Sequence, residues 1–349
     1  MIPDDAAPRL PLCPVLRFAS YLMKTLLLIA VAFATGAVLS ATATETYKIA
    51  VIPKGTTHPF WKAVNAGAVK AQRDLQAAGI KVSIVWKGPL KEDDREQQIQ
   101  VVENFIGQRV SGIVLAPLDR KALIAPVETA ISGKIPVVII DSGLDSKAPA
   151  SYVATDNREG GRIAAHHLGR MLGGKGNVIL LRYMVGSAST EDREEGFLEV
   201  MRKDFPDVRL ISTDQHAGAT RDTAKRVAEN LISRFGKQVN GIFVPTESCA
   251  AGMLLALREA DLAAGKVKLV GFDAGEMINA ALKAGDLQGF VVQDPMRIGY
   301  LGVKTVVAVI RGEKVDPVID TGVNFVTKEN MNDPRIAALL NPPLDEYLK

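Results

Sequence analysis

KIAVIPKGTTHPFWKAVNAG, residues 48–67, joins an apolar β-branched run to a segment of helical period through a loop that opens Pro53-Lys54-Gly55. The run KIAVI (48–52) lacks the alternation of a half-solvated strand, so a strand there is covered on both faces, as in a parallel sheet. From Pro59 to Ala78, Trp61, Val64, Ala68 and Leu75 recur at helical spacing and predict a helix with one apolar stripe. Pro59 suits its first turn, with Thr57 or His58 as the cap before it. The segment therefore reads as one βα unit with a Lys, a His and two large aromatics crowded where the strand ends.

Working outward, the same unit recurs. KVSIVW (81–86), GIVLA (112–116) and PVVII (136–140) are further buried strands separated by helical segments. After Asn157 the rhythm restarts: a helix to Leu172, strand NVILL (177–181), helix 191–203, strand VRLIS (208–212), helix 220–234, strand GIFV (241–244), a helix to Leu262 and strand KLVGF (268–272). Alternating β and α segments give α/β architecture, here two doubly wound parallel-sheet lobes, and in such sheets ligands sit at the carboxyl ends of strands. The strand-end loops hold charges, amides and hydroxyls, with Phe60 and Trp61 beside the first of them, a mixture that hydrogen-bonds a polyhydroxylated ring and stacks on its apolar face.

The chain has 349 residues, 47% of them hydrophobic, which is core material for two domains. Its 42 basic and 39 acidic residues are interspersed, and only 5% are aromatic, so nucleic acid is not an expected partner. Near the N-terminus, Met23 and Lys24 precede the apolar run Thr25 to Leu39 and then Ser40-Ala41-Thr42-Ala43, the layout of a signal peptide cleaved after Ala43. Met23 is then the natural start, and residues 1–43 are extension plus signal. Removal of Cys13 leaves Cys249 as the single thiol of a mature chain from Thr44, and no intramolecular disulfide is expected.

Chemistry-bearing motifs are sparse. There is no G-x-S-x-G, no G-x-x-x-x-G-K-[ST], no H-E-x-x-H and no G-x-G-x-x-G after the first strand. Gly173-Gly174-Lys175-Gly176 stands before a strand and reads as a turn, and His166, His167 and His216 lack zinc spacing. No metal, cofactor or catalytic group is expected. Asp141 and Asp273 are different: each ends an apolar strand, in VVIIDSG and LVGFDAG, one from each half, which points to a site shared between lobes.

Taken in order, HPFW (58–61), IPVVIIDSG (135–143), ATDNREGG (154–161), REEGF (193–197), VGFDAG (270–275), VVQDP (291–295) and IRGEKV (310–315) resemble the type I periplasmic binding proteins, ribose-binding branch. The resemblance implies three hinge crossings, near Thr155, Gln293 and Gly322. It divides the mature chain into a first lobe of 44–155 and 294–322 and a second of 156–293 and 323–349. It implies a periplasmic monomer that captures a sugar and delivers it to the permease of an ABC importer, with a chemoreceptor or sensor kinase as further possible partners. Phe60 and Trp61 take the stacking positions, Asp141 and Asp273 those of the hydroxyl-binding carboxylates, and Gln293 that of the hinge amide.

Other ligand positions depart from the ribose pattern: His58 stands for Asn, Ser142 for Arg, Thr246 for Asn, Glu191 for the Arg two residues before Arg193, and Ala219 for the second lobe's Phe. Ribose itself is disfavoured, and an amino sugar or polyol enters the range. IPK, KGPL and QQIQVVENF are also similar to autoinducer-2-binding proteins, for which Lys54 and Asp141 are the implied ligand holders. A periplasmic sugar-converting enzyme built on Asp141 and Asp273 is the remaining alternative.

Overall fold

The structure, a computed structural model, describes residues 46–348; the extension, the signal peptide and its cleavage site lie outside the described residues. Twelve strands in two six-stranded sheets are described. The first sheet holds β1 (Tyr47–Ile52), β2 (Val82–Trp86), β3 (Gly112–Leu115), β4 (Val137–Ile140), β5 (Ser151–Ala154) and β11 (Val318–Asp320), in the order β11-β5-β4-β3-β1-β2. The second holds β6 (Gly176–Leu180), β7 (Val208–Ser212), β8 (Gly241–Phe243), β9 (Lys268–Phe272), β10 (Gly289–Val292) and β12 (Asn324–Val326), in the order β12-β10-β9-β8-β6-β7. The two orders are the same pattern used twice, so each sheet with its helices is one lobe. All pairings are parallel except β10 with β12.

The helices are α1 (Pro59–Ala77), α2 (Arg95–Gly107), α3 (Ile124–Ser132), α4 (Asn157–Met171), α5 (Ala188–Asp204), α6 (Arg221–Phe235), α7 (Glu247–Glu259), α8 (Glu276–Ala284), α9 (Pro295–Ile310), α10 (Pro334–Leu340) and α11 (Leu344–Tyr347). Both faces of each sheet are covered. Along β1, Ile49 and Val51 enter one cluster with α1 and α9, while Ala50 and Ile52 enter another with α2 and α3. In the second lobe Ile242 and Phe243 divide in the same way between two clusters. That double burial is the physical reason for strands without alternation.

The chain passes between the sheets three times: after β5 at Thr155-Asp156, after β10 at Gln293-Asp294, and between β11 and β12 at Thr321-Gly322. Two of these strands are tied side by side, Thr155 Oγ1 lying 3.3 Å from Thr321 Oγ1 and donating to the Gly322 carbonyl at 3.2 Å. Gly322 takes φ 85°, which a side chain would strain.

The helix after each of the first two crossings is anchored to its lobe by a reciprocal glycine contact. Between α1 and α9, a Cβ on Gly67 would lie 1.9 Å from the Met296 carbonyl oxygen, and one on Gly299 would lie 2.0 Å from that of Val64. Between α4 and α5, Gly161 and Gly196 stand equally close to the carbonyls of Arg193 and Arg158, at 1.9 and 2.0 Å. The backbones touch because nothing stands between them.

Several short elements were not foreseen. The strands named from sequence omit β5, β10, β11 and β12, each only three or four residues long. The expected second lobe includes all of 323–349, but its last helix leaves that lobe. α10 buries Ile336 and Leu340 in the second lobe's core, whereas α11 lies on α1 of the first. Arg73 holds it there, donating to the Glu346 carbonyl at 2.9 Å with its guanidinium 5.1 Å above the Tyr347 ring.

Gly299→Ala forces overpacking at a backbone contact and is expected to cost about 2–3 kcal/mol of stability. Thermal unfolding checks this: a Tm within a degree of the parent would contradict the contact.

Candidate functional site

The carboxyl ends of both sheets face one another across a cavity. Its lining comes from both lobes: Lys54, His58, Phe60, Trp61, Glu92 and Asp141 from the first, and Tyr183, Ser189, Thr190, Arg193, Thr246, Glu247, Ser248 and Asp273 from the second, with Gln293 at the second crossing.

Each lobe supplies one buried ion pair. Asp141 follows β4 and Asp273 follows β9, equivalent places in the two sheets, and both adopt left-handed backbone, φ 63° and 67°. Asp is one of the few residues that takes this conformation at modest cost, and it turns the side chain out of the strand line. Lys54 Nζ lies 3.4 Å from Asp141 Oδ2, and Arg193 NH1 lies 3.6 Å from Asp273 Oδ2. Arg193 is buried: it donates to Asn157 Oδ1 (2.8 Å) and the Pro245 carbonyl (2.9 Å) and sits 3.8 Å over the Phe272 ring. Burial pushes the Asp273 carboxyl up, with Arg193 and a hydrogen bond from Gln293 pulling the other way.

The lobes are closed in this structure, and polar side chains cross the seam. Lys54 Nζ reaches Ser187 Oγ (3.3 Å) and Ser189 Oγ (3.1 Å) at the start of α5. Tyr183 donates its hydroxyl hydrogen to Glu92 Oε2 at 3.0 Å, and Arg120 pairs with Glu191 at 3.0 Å. His58 caps α1: its Nδ1 accepts the Phe60 N–H at 3.2 Å, which leaves the ring hydrogen on Nε2, 3.0 Å from Glu247 Oε2. Burial pulls the His58 pKa down, but the Glu247 hydrogen bond and the nearby Glu92 and Asp273 charges outweigh it, and the net shift is upward. Burial opposes ionisation of Glu247 too, yet His58 and Arg221, 2.6 Å away, hold its pKa below the ordinary value.

The aromatics are less exposed than a free stacking platform. Trp61 is buried, its indole N–H donating to Glu92 Oε1 at 2.8 Å, and Phe60 meets it edge to face at 5.0 Å. Thr246 caps α7 by accepting the Cys249 N–H, and Cys249 is buried, its thiol pushed up to about 12 by desolvation. Gln293, buried, donates from Nε2 to Asp273 Oδ1 at 2.8 Å, while its Oε1 has no partner.

Of the eleven residues singled out from sequence, nine line this cavity: Lys54, His58, Phe60, Trp61, Asp141, Arg193, Thr246, Asp273 and Gln293. Ser142 and Glu191 do not. Ser142 is fully buried and its Oγ accepts the Ser189 N–H across the seam. Glu191 turns outward, accepting the Gly186 N–H and pairing with Arg120. Six lining residues were missed. Tyr183 sits in a strand-end loop that the strand rule marks, Glu247 and Ser248 open α7 directly behind another, and Ser189 and Thr190 were lost because α5 begins three residues earlier than its periodicity suggests. Glu92 carries no such signal, standing six residues past β2 in the charged run KEDDRE. Among the described residues no three His, Cys, Asp or Glu side chains gather to hold a metal.

Chemically, the cavity is rich in acceptors held in place by ion pairs, suited to a small molecule that presents several hydroxyl or amine hydrogens. Comparison with known proteins agrees. Residues 49–314 match the family described as periplasmic binding protein domain. The chain is 30% identical to the ribose import binding protein of Salmonella typhimurium, over 88% of this chain and 99% of that one. It is 29% identical to the xylitol-binding protein of Mycolicibacterium smegmatis, over 75% and 74%. Among solved structures, a carbohydrate transporter solute-binding protein from Agrobacterium radiobacter in complex with D-arabinose is 40% identical with a TM-score of 0.79, covering 85% of this chain and 99% of its own. An Agrobacterium vitis solute-binding protein with bound D-fucose is 32% identical, also with a TM-score of 0.79, covering 84% and 100%.

Beneath the cavity, Glu194 is buried beside Arg182 (2.7 Å) and accepts the Tyr183 N–H (3.0 Å), yet burial dominates and pushes its pKa to about 7 from 4.5. Between those values the folded chain binds more protons than the unfolded one, so this group's contribution to stability falls as pH rises from about 4.5 to 7. The Tm of the parent minus that of Glu194→Gln should therefore decrease between pH 5 and 8; a difference that stays flat or rises contradicts the assignment.

Proposed function

We propose a function from one premise: the chain belongs to the periplasmic binding protein domain family. It is an extracytoplasmic solute-binding protein that captures a sugar between its two lobes and delivers it to an ABC-type permease. The signal peptide that starts at Met23 and ends at Ala43, with a mature start at Thr44, accounts for its export to the periplasm. The lobe division at Thr155, Gln293 and Gly322 makes those crossings the hinge, and the side-by-side arrangement of Thr155 and Thr321 supports it.

The observation that carries the ligand class is the unpaired, buried Gln293 Oε1 in a cavity whose other groups are mostly acceptors. Leaving such an oxygen unmade costs about 1–3 kcal/mol, which a hydroxyl donor from a ligand offsets. Asp141 and Asp273, each already oriented by a cation, accept further hydroxyls from opposite sides. Phe60, at the opening of α1 and half-buried, supplies apolar contact. This is capture without turnover: Asp141 and Asp273 are each paired with a cation, and unchanged sugar should be recovered from the complex. The Lys54–Asp141 pair also supports autoinducer-2 as a second reading of the ligand.

Exported protein of the mass set by a Thr44 start should be stabilised in a thermal-shift panel by at least one of D-arabinose, D-fucose, D-ribose, D-allose and xylitol, by about 2.7 kcal/mol at a hundred times the dissociation constant. Asp141→Asn and Asp273→Asn should each weaken that binding at least about tenfold, or 1.4 kcal/mol. Trp61 is a poorer probe, since truncating a core residue lowers stability as well. Stabilisation by autoinducer-2 alone would replace the sugar, and silence across the whole panel would remove the ligand class.

A further inference from the structure

The charges that line the cleft do not balance. Asp141 is matched by Lys54, Asp273 by Arg193 and Glu247 by Arg221. His58 is committed to Glu247 as well, its Nε2 3.0 Å from Oε2. Glu92 alone is left over: its two recorded partners are the Trp61 indole N–H and the Tyr183 hydroxyl, and neither carries charge. Among the described residues no Lys, Arg or His nitrogen lies within ion-pairing distance of it.

The position is built. A Cβ on Gly55 would stand 2.9 Å from Glu92 Cγ, so the glycine after β1 leaves room for this side chain to fold in. One oxygen is held by an aromatic of its own lobe and the other by the opposite lobe, so the carboxylate is fixed only when the lobes meet. Each oxygen keeps a lone pair for a ligand hydrogen.

We propose that Glu92 is a specificity-determining residue of this cleft: its unneutralised carboxylate admits sugars that present hydroxyl or amine hydrogens and rejects those bearing a carboxylate or phosphate. The inference rests on the reading of the cavity as a sugar site. An anionic ligand would meet a second negative charge between the lobes, where repulsion is less screened than in open water, and the cleft's own cations are already paired. A merely structural Glu92, needed only to orient Trp61, would weaken all sugars alike when altered.

Matched sugars separate the two roles. D-fucose and D-galacturonate share ring stereochemistry and differ in charge, as do D-xylose and D-glucuronate. Binding of both pairs is measured by calorimetry at pH 8 and low salt, for the parent and for Glu92→Gln, whose amide oxygen can still accept the Trp61 N–H. The parent should prefer the neutral member of whichever pair binds by at least a hundredfold, and Glu92→Gln should shrink that preference at least tenfold. An unchanged preference, or a parent that binds the uronate as well as the neutral sugar, overturns the role of Glu92 and leaves the sugar site standing. If the parent binds no member of either pair and no sugar of the wider panel, the sugar site itself falls, and this inference with it.

Discussion

Two aspartates held in left-handed backbone at equivalent strand ends are the constraint around which this molecule is organised. Each must leave a fully buried strand, turn into the space between the lobes and remain stable there as a carboxylate, and an unpaired charge in that setting is costly. The first lobe solves this with Lys54 from the loop after β1, the second with Arg193 from α5. Arg193 does more than balance charge, since its bonds to Asn157 and Pro245 and its seat over Phe272 tie the first turn of α4 and the end of β8 to the same carboxylate. The cleft is therefore preorganised before any ligand arrives.

Rigid lobes are the second requirement, because a hinge closes usefully only if the bodies on either side do not deform. The glycine contacts meet it where it matters. α9 and α4 are the helices that follow the first two crossings, and each is pressed backbone to backbone against the helix that carries cleft residues, α1 and α5. On the proposed hinge, motion is confined to Thr155, Gln293 and Gly322, and the seam contacts of Lys54, His58 and Tyr183 form or break together. Such contacts set how far the closed state is populated, and apparent affinity scales with that population.

Much of this was legible in the sequence, for identifiable reasons. Continuous apolar strands such as KIAVI and VVII can only be doubly covered, and the restart of the rhythm after Asn157 announces a second sheet. Asp141 and Asp273 stand out because a charge directly after such a run has to be explained. What was not legible depends on packing across the seam. Glu191 and Arg193 lie two residues apart on α5, yet one faces solvent and Arg120 while the other faces the cleft, and that choice is set by where the helix begins. Glu92 hides in a charged run whose neighbours are solvated, and only the approach of Tyr183 from the other lobe marks it. β5, β10, β11 and β12 were too short for periodicity to register, and the return of α11 to the first lobe rests on Arg73, more than 270 positions away.

A crystal structure of the protein with the sugar that binds it most tightly tests the central claim most directly. The account predicts the sugar ring enclosed between the lobes, with hydroxyls on Asp141 and Asp273 from opposite sides and one donating to Gln293 Oε1. A tightly bound sugar seated outside that cleft, or one inside it that leaves both aspartates and Gln293 untouched, would contradict it.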